Sequence, residues 1–128
     1  MIGHVTLSLL KESLTDTAKE GKVALLFHFS REGDPVRTHI IEKIRGIERL
    51  IQGIDLLLAG GTSELAQEGI DAILESVDKA IPRCPELMQA ALYMERAHFL
   101  EMKDRFQKLD DLLEVERPEP ADTDRLLN

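Results

Sequence analysis

One pair of residues has the spacing of a metal site, because Glu95 and His98 form a Glu-x-x-His motif. Residues three apart lie on one face of a helix, and carboxylate-bridged di-iron bundles use this spacing to bring both ligands onto one metal ion. Such sites need a second Glu-x-x-His from a facing helix, which the sequence lacks. The nearest counterpart is the reversed motif His39-x-x-Glu42, whose helical register predicts that both side chains point away from the core. A metal-carboxylate bundle is therefore kept as an alternative.

Glu95 also has a structural interpretation. It is the one charged member of an apolar seam that runs at alternating spacings of four and three from Met88 to Leu113. Burying a carboxylate without a partner costs several kcal/mol, so the group must be paired, hydrated or protonated. A polar residue in a helical seam can also fix register or oligomeric state. We therefore predict that Glu95 helps to specify the structure.

Other catalytic patterns are absent from the sequence. It contains no His-x-x-x-His pair, no phosphate-binding or dinucleotide-binding glycine loop and no Gly-x-Ser-x-Gly nucleophile elbow. Cys84 is the only cysteine, which excludes an internal disulfide and a multi-cysteine zinc site. It lies between Pro82 and Pro85 in an expected loop, where its thiol would be exposed, but no histidine adjoins it to activate it. We predict no enzymatic activity and no cofactor.

Glycine and proline divide the chain into four segments with helical spacing of apolar residues. The first segment is either one helix or two short helices that meet near Gly21. Loops of two to six residues between long helices imply antiparallel neighbours. The sequence therefore predicts an all-α, up-down antiparallel bundle of four to five helices in a single domain, 1–115, followed by a flexible, proline-rich acidic tail, 116–128. The four segments are 5–30, 36–59, 63–81 and 86–115.

The second segment has the clearest helical pattern. An uninterrupted apolar seam from Ile40 to Leu58 is widened by Leu50 and Leu57, so this helix should pack against more than one neighbour. Gly46 and Gly53 lie seven residues apart inside it, where each glycine costs about 1 kcal/mol relative to alanine. Glycines in this register form a groove that admits another helix. Either a partner helix or a second copy docks there, or an internal helix, such as the first segment, fills it.

Composition limits the possible partners. The net charge of −8 argues against direct binding to nucleic acid or to an anionic membrane surface, since both need a concentrated basic surface. The aromatic content of 4% leaves the core to aliphatic residues, which suits helix packing. The first ten residues lack the basic and apolar regions of a signal peptide, and no apolar run approaches the roughly 20 residues that span a bilayer. A cytoplasmic location is expected.

The tail contains two adjacent leucines, Leu126 and Leu127, that follow an acidic stretch. Such a pair can act as a short docking peptide, or it can cover apolar surface of the chain's own core. The sequence leaves open whether the tail docks in cis or in trans.

Residues 70–118 loosely resemble tetratricopeptide repeats. Ala80 stands five residues before Pro85, as at the end of one repeat, and Tyr93 and Ala97 precede Phe106, as at the start of the next. The second helix is longer than the helices of that motif. The resemblance implies a peptide-binding scaffold.

These features together predict a small, soluble, cytosolic helical module for protein–protein interaction, such as an adaptor, a chaperone-like protein or a regulatory subunit. Its partner would be another protein or a helix of that protein. Self-association into a homodimer is also expected, because apolar stripes this wide leave some apolar surface exposed in a single copy. The candidate interaction residues are Gly46, Gly53, Leu50, Leu57, Leu126 and Leu127. A helical transcriptional or antitoxin-like regulator is a further alternative.

Overall fold

A computed structural model describes the backbone of residues 3–29 and 31–116 and the side chains within these ranges up to Asp111. The described residues form four α-helices and no strand, which confirms the predicted all-α bundle. None of these helices is both long enough and apolar enough to cross a membrane. The helices are α1 (His4–Phe27), α2 (Pro35–Leu58), α3 (Glu64–Ala80) and α4 (Glu86–Glu116), with a short 3₁₀ helix (Ile81–Arg83) between the last two.

The first segment forms one helix rather than two. The hydroxyl groups of Thr15 and Thr17 donate back to the carbonyl oxygens four residues earlier, at 2.8 and 3.0 Å, within one continuous helix. Gly21 lies against the side chains of Ile40 and Ile44 on α2. The helix therefore continues through the glycine because its packing on α2 supports it.

The ends of α2 follow the sequence signals. The Asp34 carboxylate accepts a hydrogen bond of 2.9 Å from the backbone N–H of Val36, and Pro35 occupies the first turn. After the last turn, Gly60 adopts φ +94°, a left-handed conformation that favours glycine.

Among the described helices, α2 and α3 make the most extensive contact. A Cβ atom on Gly69 would lie 2.6 Å from the backbone nitrogen of Leu50, and one on Gly53 would clash with the backbone of Ala66. Gly46 lies equally close to Ile73. The groove along α2 is therefore filled by an internal helix, and that helix is α3.

The two outer helices flank this central pair: α1 packs on α2, and α4 packs on α3. The core is aliphatic along α2 and α3, and α4 adds both of the fully inward phenylalanines, Phe99 and Phe106. At the start of α3, the Asp110 carboxylate accepts hydrogen bonds from the backbone N–H and the hydroxyl of Ser63. A carboxylate from α4 thus caps α3 and sets the position of the two helices along each other.

We predict that Gly53→Ala destabilises the protein by about 2–3 kcal/mol, because the added methyl group overlaps backbone atoms that cannot move without separating α2 from α3. The loss exceeds the gain of up to about 1 kcal/mol from higher helix propensity. Urea denaturation measures the difference in unfolding free energy.

Gly21→Ala provides the matched control within α1. Its Cβ would meet only side-chain atoms of Ile40 and Ile44, the nearest at 3.2 Å, and these can shift by a few tenths of an ångström. Helix propensity then decides the sign, and the variant should be neutral or stabilised by up to about 1 kcal/mol. Equal effects of the two substitutions would refute the close contact.

Candidate functional site

Four polar side chains from three helices meet inside the bundle: His39 and Lys43 from α2, Ser76 from α3 and Glu95 from α4. The His39 side chain is only 6% exposed. Its Nδ1 atom lies 2.6 Å from the Ser76 hydroxyl, and its Nε2 atom lies 3.3 Å from Glu95 Oε1. Lys43 Nζ lies 3.1 Å from the same carboxylate oxygen. We refer to these four residues as the polar cluster.

The prediction that His39 points away from the core is wrong. It lies seven residues before Gly46, and Gly46 lies seven before Gly53, so the histidine belongs to the glycine side of α2. Because α3 packs closely on that side, it buries His39 along with the glycines. The spacing of seven is readable in the sequence, but histidine and glycine carry no hydrophobic signal, so the isoleucine seam alone indicates the core face.

The cluster keeps Glu95 ionised. Burial by itself would raise the pKa of its carboxyl group, but the hydrogen bond from His39 and the positive charge of Lys43 outweigh burial and lower the pKa below its ordinary value. A carboxylate only accepts hydrogen bonds, so His39 Nε2 is the donor to Glu95, and the Ser76 hydroxyl lies within hydrogen-bonding distance of Nδ1. Arg96, the next residue in sequence, pairs with Asp78 at 2.9 Å.

The cluster holds the three side-chain types of a serine hydrolase but not the geometry of one. Ser76 is 2% exposed and lies inside α3, so its hydroxyl cannot reach a substrate carbonyl group. The backbone N–H groups around it are used by the helix and cannot form an oxyanion hole. The arrangement therefore links three helices and does not provide a nucleophile.

The structure does not bring Glu95 and His98 to one site. Glu95 borders a cavity between α2 and α4, whereas His98 borders a separate cleft between α1 and α4. Within the part of the chain that the structure describes, no group of three or more His, Cys, Asp or Glu side chains is placed to hold a metal ion. The metal alternative thus gains no support from the geometry.

The cavity beside the polar cluster has a volume of about 170 Å³. Its walls are mostly apolar and include Phe29, from the segment after α1, and Met88 and Ala91 from α4. Cys84 also borders it and is buried, contrary to the expectation of an exposed loop thiol. Burial raises the pKa of this thiol, and the nearby Asp34 carboxylate raises it further. Cys84 is therefore a poor nucleophile in the folded protein.

The other predicted interaction residues lie inside the bundle or outside the described residues. Leu50 is completely buried and Leu57 nearly so, and both glycines are covered by α3. These four residues are packed within the chain itself and offer no open surface to a partner. Leu126 and Leu127 lie outside the residues that the structure describes.

Sequence reasoning missed an exposed apolar face on α4. Leu87, Ala90, Met94 and Ala97 are all exposed and follow one another at spacings of three, four and three; we call them the α4 stripe. Leu87 is 90% exposed and Met94 is 76% exposed. The spacing is readable in the sequence, but the longer apolar seam on the opposite side of α4 gives the stronger signal for a buried face.

The chain matches no family model, and neither a curated protein nor a solved structure gives a significant match. The resemblance of 70–118 to tetratricopeptide repeats is therefore not supported by a family match. Evidence for function comes from the geometry of this chain alone.

We predict that Glu95→Gln destabilises the protein by about 1–3 kcal/mol at pH 7, because Lys43 and His39 lose their charged acceptor. The lowered pKa of Glu95 stabilises the folded state above the pKa of the unfolded chain. This contribution disappears as the pH falls through the lower pKa of the folded state. The difference between wild type and variant should therefore shrink below about pH 4, as measured by urea denaturation from pH 3 to 7.

Glu101→Gln is the matched control on the same helix. Glu101 is exposed and, among the described residues, forms an ion pair with Arg105, one turn further along, so its removal should cost under about 0.5 kcal/mol at any pH. If Glu95→Gln behaves like this control at pH 7, the cluster does not stabilise the bundle.

Proposed function

We propose that the protein is a helical protein–protein interaction module that pairs with a second copy of itself through the α4 stripe. The observation that supports this function best is the exposure of Leu87 and Met94 on a helix face that no other part of the described chain covers. Exposed apolar residues are common singly, but a regular row of them is typical of an interface.

The order of residue sizes along the stripe favours an identical partner in antiparallel orientation. Large residues alternate with alanine. An antiparallel copy would therefore place Leu87 opposite Ala97 and Met94 opposite Ala90. Every layer then contains one large and one small side chain, as close helix packing requires. A parallel copy would place leucine on leucine and alanine on alanine, which leaves gaps.

The amount of apolar surface also suits a dimer. Tyr93 and Leu100 flank the stripe and are 58% and 40% exposed. Together with the stripe, they extend the exposed apolar face of α4 over about 20 Å of helix, from Leu87 to Leu100. The two-fold arrangement uses the same patch twice, which is the commonest oligomer symmetry.

The net charge of the chain gives a way to distinguish binding to a second copy from binding to a basic protein. Two copies of a chain with charge −8 repel each other at long range, and salt screens the repulsion. Self-association should therefore strengthen as salt is raised from low to physiological concentration. Binding to a basic protein would weaken under the same change.

The cellular role remains within the proposed class of adaptor, chaperone-like protein or regulatory subunit, and a cytoplasmic location is part of the proposal. The single unpaired cysteine is compatible with a reducing compartment.

We predict that the wild-type chain sediments as a monomer–dimer equilibrium and that Leu87→Asp with Met94→Asp weakens dimerisation at least about 100-fold, or roughly 3 kcal/mol. The reason is that each copy would bring two charges into the interface, four in the dimer, without partners. Sedimentation equilibrium at several concentrations measures the dissociation constant.

Leu9→Asp is the matched control, since Leu9 is an exposed helical leucine near the opposite end of the bundle. It should leave the dissociation constant within about twofold of wild type, well below the tenfold change that 1.4 kcal/mol produces. A wild-type chain that stays monomeric at all salt concentrations would refute self-association. An equal loss in both variants would place the interface elsewhere.

A further inference from the structure

A cleft separates the first half of α1 from the second half of α4. Its volume is about 400 Å³, and its walls are formed by Leu7 and Leu10 from α1 and by Met102 and Phe106 from α4. His98, Glu101 and Arg105 border it on the α4 side. The cleft is distinct from the α4 stripe and from the cavity beside the polar cluster. An apolar cleft of this size with a few polar groups at its edge has the character of a binding site.

We propose that this cleft binds the chain's own C-terminal leucines, Leu126 and Leu127, in cis. The occupant is chosen from the composition and length of 117–128. Apart from one alanine and two prolines, these two leucines are the only apolar residues in that segment. They are therefore the side chains that can gain most by entering an apolar cleft.

The distances permit the contact. Phe106 lies ten residues before the end of α4 at Glu116, so the cleft is about 15 Å back along the helix from that end. The ten residues from 117 to 126 span up to about 33 Å when extended. The chain can therefore reverse direction after α4 and bring the leucines to the cleft.

Arg105 at the cleft edge has N–H groups that can bind an acidic residue of this segment. Asp122 and Asp124 precede the leucines by four and two residues. The guanidinium group of Arg105 donates to Glu101 through Nη2, at 2.8 Å, and its other N–H groups can donate to a further carboxylate. Attachment to the same chain gives the segment an effective concentration of the order of millimolar, so a weak contact is enough for occupancy.

Methyl NMR of the full-length chain tests this inference. Of the four methionines, Met102 lies in the cleft wall, whereas Met88 borders the separate cavity and serves as an internal reference. In a chain labelled at methionine and leucine methyl groups, we expect nuclear Overhauser contacts between the Met102 methyl group and those of Leu126 or Leu127. Leu126→Asp with Leu127→Asp should abolish these contacts and shift the Met102 resonance, while the Met88 resonance stays in place.

Leu126→Ile with Leu127→Ile is the matched control, because it keeps both side chains apolar and should leave Met102 near its wild-type position. Failure to observe any contact in the wild-type chain, together with an unchanged Met102 resonance in the aspartate variant, would overturn the proposal. A contact that disappears on dilution would also overturn it, because the leucines would then come from a second copy. The inference is independent of the α4 stripe, so the Leu87→Asp and Met94→Asp variant should retain the contact.

Discussion

The direct contact between the backbones of α2 and α3 is the constraint on which the rest of the bundle depends. Three glycines and one alanine line it, and the two helices approach until a methyl group in place of a glycine hydrogen would strike main-chain atoms. Glycine weakens an isolated helix by about 1 kcal/mol per residue. The contact repays this cost because close approach allows Leu50, Ile70 and Ile73 to be completely buried between the helices.

The polar cluster depends on the same contact. His39 lies one heptad before Gly46, so the approach of α3 that covers the glycines also removes the histidine from water and brings it to Ser76. The cost of burying the imidazole is offset because each ring nitrogen has a hydrogen-bonding partner, and α4 supplies one of them through Glu95. Ser63 and Asp110 provide a second polar link, near the other end of α3. Both polar links are directional, and the contact between α2 and α3 is sterically defined. Together they favour a single alignment of the helices along one another over similar alternatives.

The number and direction of the helices were predictable from the sequence, because proline, glycine and Asp34 mark the boundaries and apolar spacing marks the faces. That Glu95 needs polar partners was also predictable, since a charge interrupts its apolar seam, and the structure pairs it with His39 and Lys43. The partners of Glu95 were not predictable. In the sequence, one apolar seam indicates the buried face of α2. The second buried face consists of His39 and glycines, which carry no hydrophobic signal, so the sequence does not reveal it. The exposed stripe on α4 was not predictable, because residue spacing alone does not show which of two apolar helix faces points inward. Only the packing of α3 and α4 decides that.

The one-sided attachment of α1 has a consequence for how the protein opens. This helix rests on α2, and the cleft separates its first half from α4, so fewer buried side chains hold it than hold α2 or α3. Local stability follows the number of such contacts. We therefore expect the amide hydrogens of α1 to exchange with solvent when that helix alone detaches. The amide hydrogens of α2 and α3 should exchange only when the whole bundle unfolds. The bundle then consists of two cooperative units: a tightly joined inner pair braced by α4, and an outer helix that can leave without dismantling it.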